Sequence, residues 1–142
     1  MYRFTLVFII AMIFMKASIA RQPVEKILAE KILLVTIDEI GIIKVGRDTV
    51  GSAELIRYTR ERLFKSYLGT GQMHNRIKLQ KLNPIVPGIV SAAVEKEIKD
   101  AQKNASTEIC VQKYNRKFDD LEKRRQDKIK KKFSVLFQTD YL

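Results

Sequence analysis

In the stretch "KILLVTIDEIGIIKVGRDTV", Leu33, Val35 and Ile37 alternate with Leu34, Thr36 and Asp38. Glu39 to Gly41 break the run, and Ile42, Ile43 and Val45 resume it. Side chains of a strand point alternately to opposite faces, so this pattern predicts a β-hairpin. Gly46-Arg47-Asp48 reads as a second turn. Ser52 is placed to cap a helix in which Leu55, Ile56, Thr59, Leu63 and Tyr67 recur at helical spacing. The glycines of "SYLGTGQMHN" end that helix, because glycine enters the left-handed conformation without strain.

Alternation returns in "RIKLQKLNP", with Ile77 and Leu79 on one face and Lys78 and Gln80 on the other, which predicts a third strand. Pro84 and Pro87 bracket its end. From Gly88, the residues Val90, Val94, Ile98, Ala101, Ala105 and Ile109 recur at helical spacing and predict one long amphipathic helix to about Tyr114. Asp119 offers a cap for a further helix with an apolar stripe of Phe118, Leu121, Ile129 and Phe133, interrupted by the aliphatic stem of Arg125. Val135, Phe137 and Thr139 then alternate with Leu136, Gln138 and Asp140, predicting a last strand. The expected fold class is α+β: a small mixed β-sheet in the order β-β-α-β-α-α-β, with helices packed on one face. At 142 residues and 46% hydrophobic content, the chain has material for one modest core. Residues 31–142 are expected to form that domain, after a polar lead over residues 21–30.

The first residues change the picture of where the domain works. In "MYRFTLVFIIAMIFMKASIA", Arg3 is a short basic lead, Phe4 to Met15 is an apolar core, and Ser18 and Ala20 are small residues in the relation signal peptidase accepts. Residues 1–20 therefore read as an export signal. Two alternatives stand beside it: a short tilted membrane anchor with Lys16 reaching the surface, or a buried core helix. Export places the domain in the periplasm, or on the inner membrane facing it.

The chain carries 27 Lys and Arg against 16 Asp and Glu, a net charge of +11 that favours acidic partners. Between Glu95 and Lys132, thirteen basic residues face eight acids, mixed as on a solvated helix face. Only Lys128 to Lys132 is concentrated, and aromatics that would stack bases are not interleaved with it, so nucleic acid is disfavoured. An anionic membrane surface or an acidic protein face fits better.

The single histidine, His74, and the single cysteine, Cys110, lack the company that a triad or a zinc site requires. Cys110, between Ile109 and Val111, reads as a buried thiol, the alternative being an intermolecular disulfide across a dimer. "GTGQ" and "VGRDTVGS" lack the endings of phosphate-binding loops. Asp38 and Glu39 at a turn, and Asp119 and Asp120 at a helix start, are acids where local structure uses them. No catalytic, cofactor or metal residues are assigned, and a non-enzymatic role is expected.

The hairpin "LLVTIDEIGIIKVGRDTV", the strand "NRIKLQK", the long helix and the segment "KFDDLEKRRQDKIKKKFSVLFQTDY" together resemble the periplasmic domain of ExbD/TolR-type biopolymer transport proteins, in the longer form found in Bacteroidota. Lys117, Phe118, Asp120, Leu121, Gln126, Ile129 and Phe133 match the pattern that follows the long helix in that family. The resemblance implies a homodimer beside an ExbB-like channel subunit, energising a TonB-like protein, with contacts to the membrane surface or peptidoglycan. It also implies a sheet edge open to another chain's strand, for which Ile42 to Val45 and Val135 to Thr139 are candidates. The family's transmembrane helix carries an aspartate for the proton step, whereas Phe4 to Met15 contains no acid. The expectation is a component that pairs with a complete subunit, the alternatives being a secreted adaptor that keeps only the fold and a basic polyanion-binding protein.

Overall fold

The computed structural model describes residues 31–142, so the signal or anchor segment 1–20 and the polar lead 21–30 lie outside the described residues. Strands β1 (Ile32–Ile37), β2 (Ile43–Val45) and β3 (Asp48–Val50) come first. Helix α1 (Leu55–Thr70), strand β4 (Arg76–Lys81) and the long helix α2 (Gly88–Tyr114) follow. Helix α3 (Lys123–Lys132) lies between two 3-10 turns, Phe118–Asp120 and Ser134–Phe137.

The four strands form one mixed sheet in the order β3-β2-β1-β4. β1 runs antiparallel to β2, with Val35 opposite Val45, and parallel to β4, with Val35 opposite Leu79. A parallel neighbour needs a crossover, and α1 supplies it. Leu33, Val35, Ile37, Ile43, Val45 and Ile77 are buried on one face, while Lys44, Lys78 and Gln80 stand exposed on the other. Against the apolar face pack Leu55 and Leu63 of α1 and Val94, Ile98, Ala105 and Ile109 of α2. Each large aliphatic buried there contributes about 2 kcal/mol by leaving water. The α+β class and the one-sided helix layer agree with the sequence pattern.

Three boundaries differ from that pattern. The turn expected over Gly46-Arg47-Asp48 is confined to Gly46 and Arg47, because Gly46 at φ 65° lets the chain reverse within two residues, and Asp48 to Val50 is a further strand that pairs Asp48 with Val45. Helix α3 begins at Lys123, because Leu121 is extended at φ −86° and ψ 147°. Phe118 and Leu121 sit in the turn before the helix and only mimic its first stripe. The C-terminal segment forms no strand: Ser134–Phe137 is a 3-10 turn that buries Val135 and Leu136 together, and no strand follows it. The observed order is therefore β-β-β-α-β-α-α. Neither candidate edge holds, since β2 lies inside the sheet with Ile42 in the preceding turn, and residues 135–139 are not a strand.

Candidate functional site

The C-terminal tail covers one side of the sheet without becoming part of it. The Gln138 amide oxygen accepts the Ile77 backbone N–H at 2.8 Å, and its nitrogen donates to the Ile77 carbonyl at 2.7 Å. Two residues further along β4, the Leu79 N–H donates to the Tyr141 carbonyl at 2.7 Å. Arg76 donates to the Leu142 carbonyl and closes the end. The outer edge of β4 is thus satisfied at Ile77 and Leu79, mostly by one side chain. The opposite terminal strand, β3, pairs only with β2.

Beneath the tail, α2 contributes a buried Gln102 that is 2% exposed. Its nitrogen donates to the Val135 carbonyl at 2.5 Å, and its oxygen accepts the Tyr141 hydroxyl at 2.5 Å. Burial, then the charge of Glu95, push the Tyr141 hydroxyl up to about 12, so it stays a neutral donor. The tail is therefore docked by a satisfied buried polar network as well as by apolar contact.

At the other end of the sheet the surface is apolar. Ile40 in the β1–β2 turn, Leu82 and Ile85 after β4, and Ile89 in the first turn of α2 are each more than half exposed. Asn83 donates to Glu39 at 3.0 Å and ties the two loops together. Between β2 and α2 runs a groove of about 310 Å³, lined by Ile43, Ile89, Val90, Val94 and the carboxyl group of Glu97. Desolvation, with the nearby Asp100 charge, raises the affinity of Glu97 for its proton. Of the four exposed aliphatics, Ile89 lines this groove, and the others extend the apolar surface in the neighbouring loops.

The basic residues of α3 are exposed, as on a solvated face, and some of them, with Lys113 of α2, also stand over aromatic rings. Lys130 stands over the rings of Phe118 and Phe137, Lys113 over Tyr67 and Phe133, and Arg125 over Tyr114 at 5.6 Å. Phe133 meets Tyr67 edge-on at 5.2 Å, and Phe118 packs on Phe137 at 5.0 Å. These aromatics lie far apart in sequence and meet only in the fold. The amide of Gln126 donates to the carbonyls of Phe118 and Leu121 and ties the turn to α3. Leu121, Ile129 and Phe133 are buried, as the sequence stripe predicted.

The remaining candidates are structural. Asp38 Oδ1 accepts the N–H groups of Ile40 and Ile42 and shapes the β1–β2 turn. His74 is buried in the connection between α1 and β4. Cys110 is fully buried on α2, burial pushes its thiol up against the opposing effect of the Ser106 hydrogen bond, and an intermolecular disulfide has no access to it. Among the described residues, no cluster of three His, Cys, Asp or Glu is placed to hold a metal ion, and no helix is long and apolar enough to cross a membrane. Comparison with protein-family models, curated proteins and solved structures finds no match to the chain.

Proposed function

We propose that this chain is a non-enzymatic component of an ExbB-ExbD/TonB-type proton-driven energy-transducing transport system. Its domain over residues 31–142 acts in the periplasm, beside the inner membrane, as a dimerisation and interaction module. The observation that carries the reading is the group of exposed aliphatics Ile40, Leu82, Ile85 and Ile89 in the loops at one end of the sheet, a surface suited to contact with another chain. The sheet edge at β3, paired on one side only, offers a second place for another chain. Further support comes from the residues that match the family pattern: Phe118, Leu121, Gln126, Ile129 and Phe133 work as one packed unit around the α3 entrance.

The acid-free segment Phe4 to Met15 favours a subunit that pairs with a complete, aspartate-bearing partner and leaves the proton step to it. The test is isolation of the tagged full chain from membranes in a non-ionic detergent. The expected product is a dimer that retains an ExbB-like channel subunit. A monomer recovered alone from the soluble periplasm, with residues 1–20 removed, would instead identify a secreted adaptor.

A further inference from the structure

A cleft of about 520 Å³ opens between α2 and the C-terminal tail, within the size range of small-molecule sites. One wall is the face of α2 that presents Lys99, Lys103 and Thr107, each a helical turn after the last. The other wall is the turn holding Lys117 and Asp119, together with Thr139 of the tail. Phe118, Leu136 and Phe137 supply an apolar flank, over whose rings Lys130 stands.

The lysines of this cleft are not neutralised from within. Arg57 is paired with Glu54 and Glu61, and Arg60 reaches Glu61 and Glu108, so the fold does pair its cations elsewhere. Among the described residues, Lys99, Lys103 and Lys117 form no ion pair, while the Lys99 ammonium stands over the Tyr141 ring at 5.9 Å with Glu95 one turn before it on α2, and Asp119 is the one carboxylate that lines the cleft itself. Lys99 and Lys103 repel each other one turn apart, a repulsion that Glu95 and Asp100 on the same helix offset and that an anion in the cleft would relieve further. The walls are also fixed, since Gln102 and Tyr141 lock the tail to α2 behind the cleft. A cleft with fixed walls, three exposed lysines, the Thr139 hydroxyl and an aromatic flank suits an anion with an apolar portion, the Thr107 hydroxyl being spent on the Lys103 carbonyl.

We propose that this cleft binds a small polyanion, bearing either a phosphate group or paired carboxylates, through Lys99, Lys103 and Lys117. The inference stands on the cleft alone and holds whether or not the transport reading does.

The experiment is calorimetric titration of the full chain in non-ionic detergent with pyrophosphate and, separately, with citrate. Two triple variants are compared: K99Q/K103Q/K117Q in the cleft and K123Q/K128Q/K131Q on α3, which remove the same charge. Expected is saturable binding of at least one anion, weakened about tenfold or more in the cleft variant and less than about threefold in the α3 variant. Binding of pyrophosphate alone identifies a phosphate ligand, citrate alone a carboxylate ligand, and both a site that reads charge without regard to its source. Equal weakening in the two variants, or no binding by the unaltered chain at about 1 mM anion, would overturn the proposal. A melting temperature for each variant separates loss of the site from loss of the fold.

Discussion

Gln138 pairs with Ile77 through both atoms of its side-chain amide, accepting the backbone N–H at 2.8 Å and donating to the carbonyl at 2.7 Å. A side chain here does what a neighbouring strand would do, and β4 needs no further strand on that side at Ile77.

Removing that amide should therefore act on both the tail and β4. Gln138→Ala is expected to cost about 1–3 kcal/mol, because a partly buried N–H and carbonyl lose their partners together. Urea denaturation measures the loss, and faster hydrogen exchange at the Ile77 amide locates it. A variant with unchanged stability and exchange would show that water satisfies β4 equally well.

Deletion of residues 134–142 should be more severe. Val135, Leu136 and Tyr141 leave the core, Gln102 loses both partners, and the outer edge of β4 is bared. The expected product is unstable or aggregating. A truncated chain that melts at the temperature of the full one would contradict this account of the tail.

Tyr141 predicts an alkaline signature. Its hydroxyl ionises at about 12 in the folded state against 10.0 ordinarily, so above pH 10.0 the unfolded chain releases a proton that the folded chain keeps. Stability should fall with rising pH between those values, by up to roughly 3 kcal/mol from this group. Tyr141→Phe should remove that part of the alkaline slope. At neutral pH it should also cost about 1–3 kcal/mol, by leaving the Gln102 oxygen without its donor.

Glu97 predicts a dependence of the same sign at the acid end, where stability again falls as pH rises. Desolvation raises its folded-state pKa above the ordinary 4.5, so on acidification the folded chain takes up this proton before the unfolded chain does. The penalty of the buried charge is present at neutral pH and is relieved as pH falls through the raised value towards 4.5. Glu97→Gln should stabilise the protein at pH 7, by less than about 1 kcal/mol for a carboxyl only partly buried, and the gain should shrink on acidification. A gain independent of pH would point to packing instead of charge.

The elements legible in the sequence were those whose own residues carry a sustained period. α2 ends at Tyr114 as expected, because its apolar positions keep helical spacing throughout. β4 alternates cleanly, and β1 keeps Leu33, Val35 and Ile37 on its helix-facing side although Thr36 between them is buried too. β3 was illegible because only Val50 of its three residues is buried, which leaves no period to read. The tail was misread for a different reason: apolar residues alternate on paper, yet the pairing with β4 comes from the Gln138 side chain and the Tyr141 carbonyl. The aromatic seats of Lys113 and Lys130, and the meeting of Lys99 and Lys103 with Lys117, depend on elements far apart in the chain. No local pattern encodes them.

Site-specific photo-crosslinking in cells shows whether a partner covers the exposed aliphatics Ile40, Leu82, Ile85 and Ile89. A photoreactive residue would replace Ile89 of this group or, as the control, Lys78 on the exposed polar face of the sheet, with crosslinked products identified by mass spectrometry. The account predicts crosslinks from position 89 to a second copy of the chain or to an ExbB-like or TonB-like protein, and few from position 78. Equal products from both positions, or none from position 89, would contradict it.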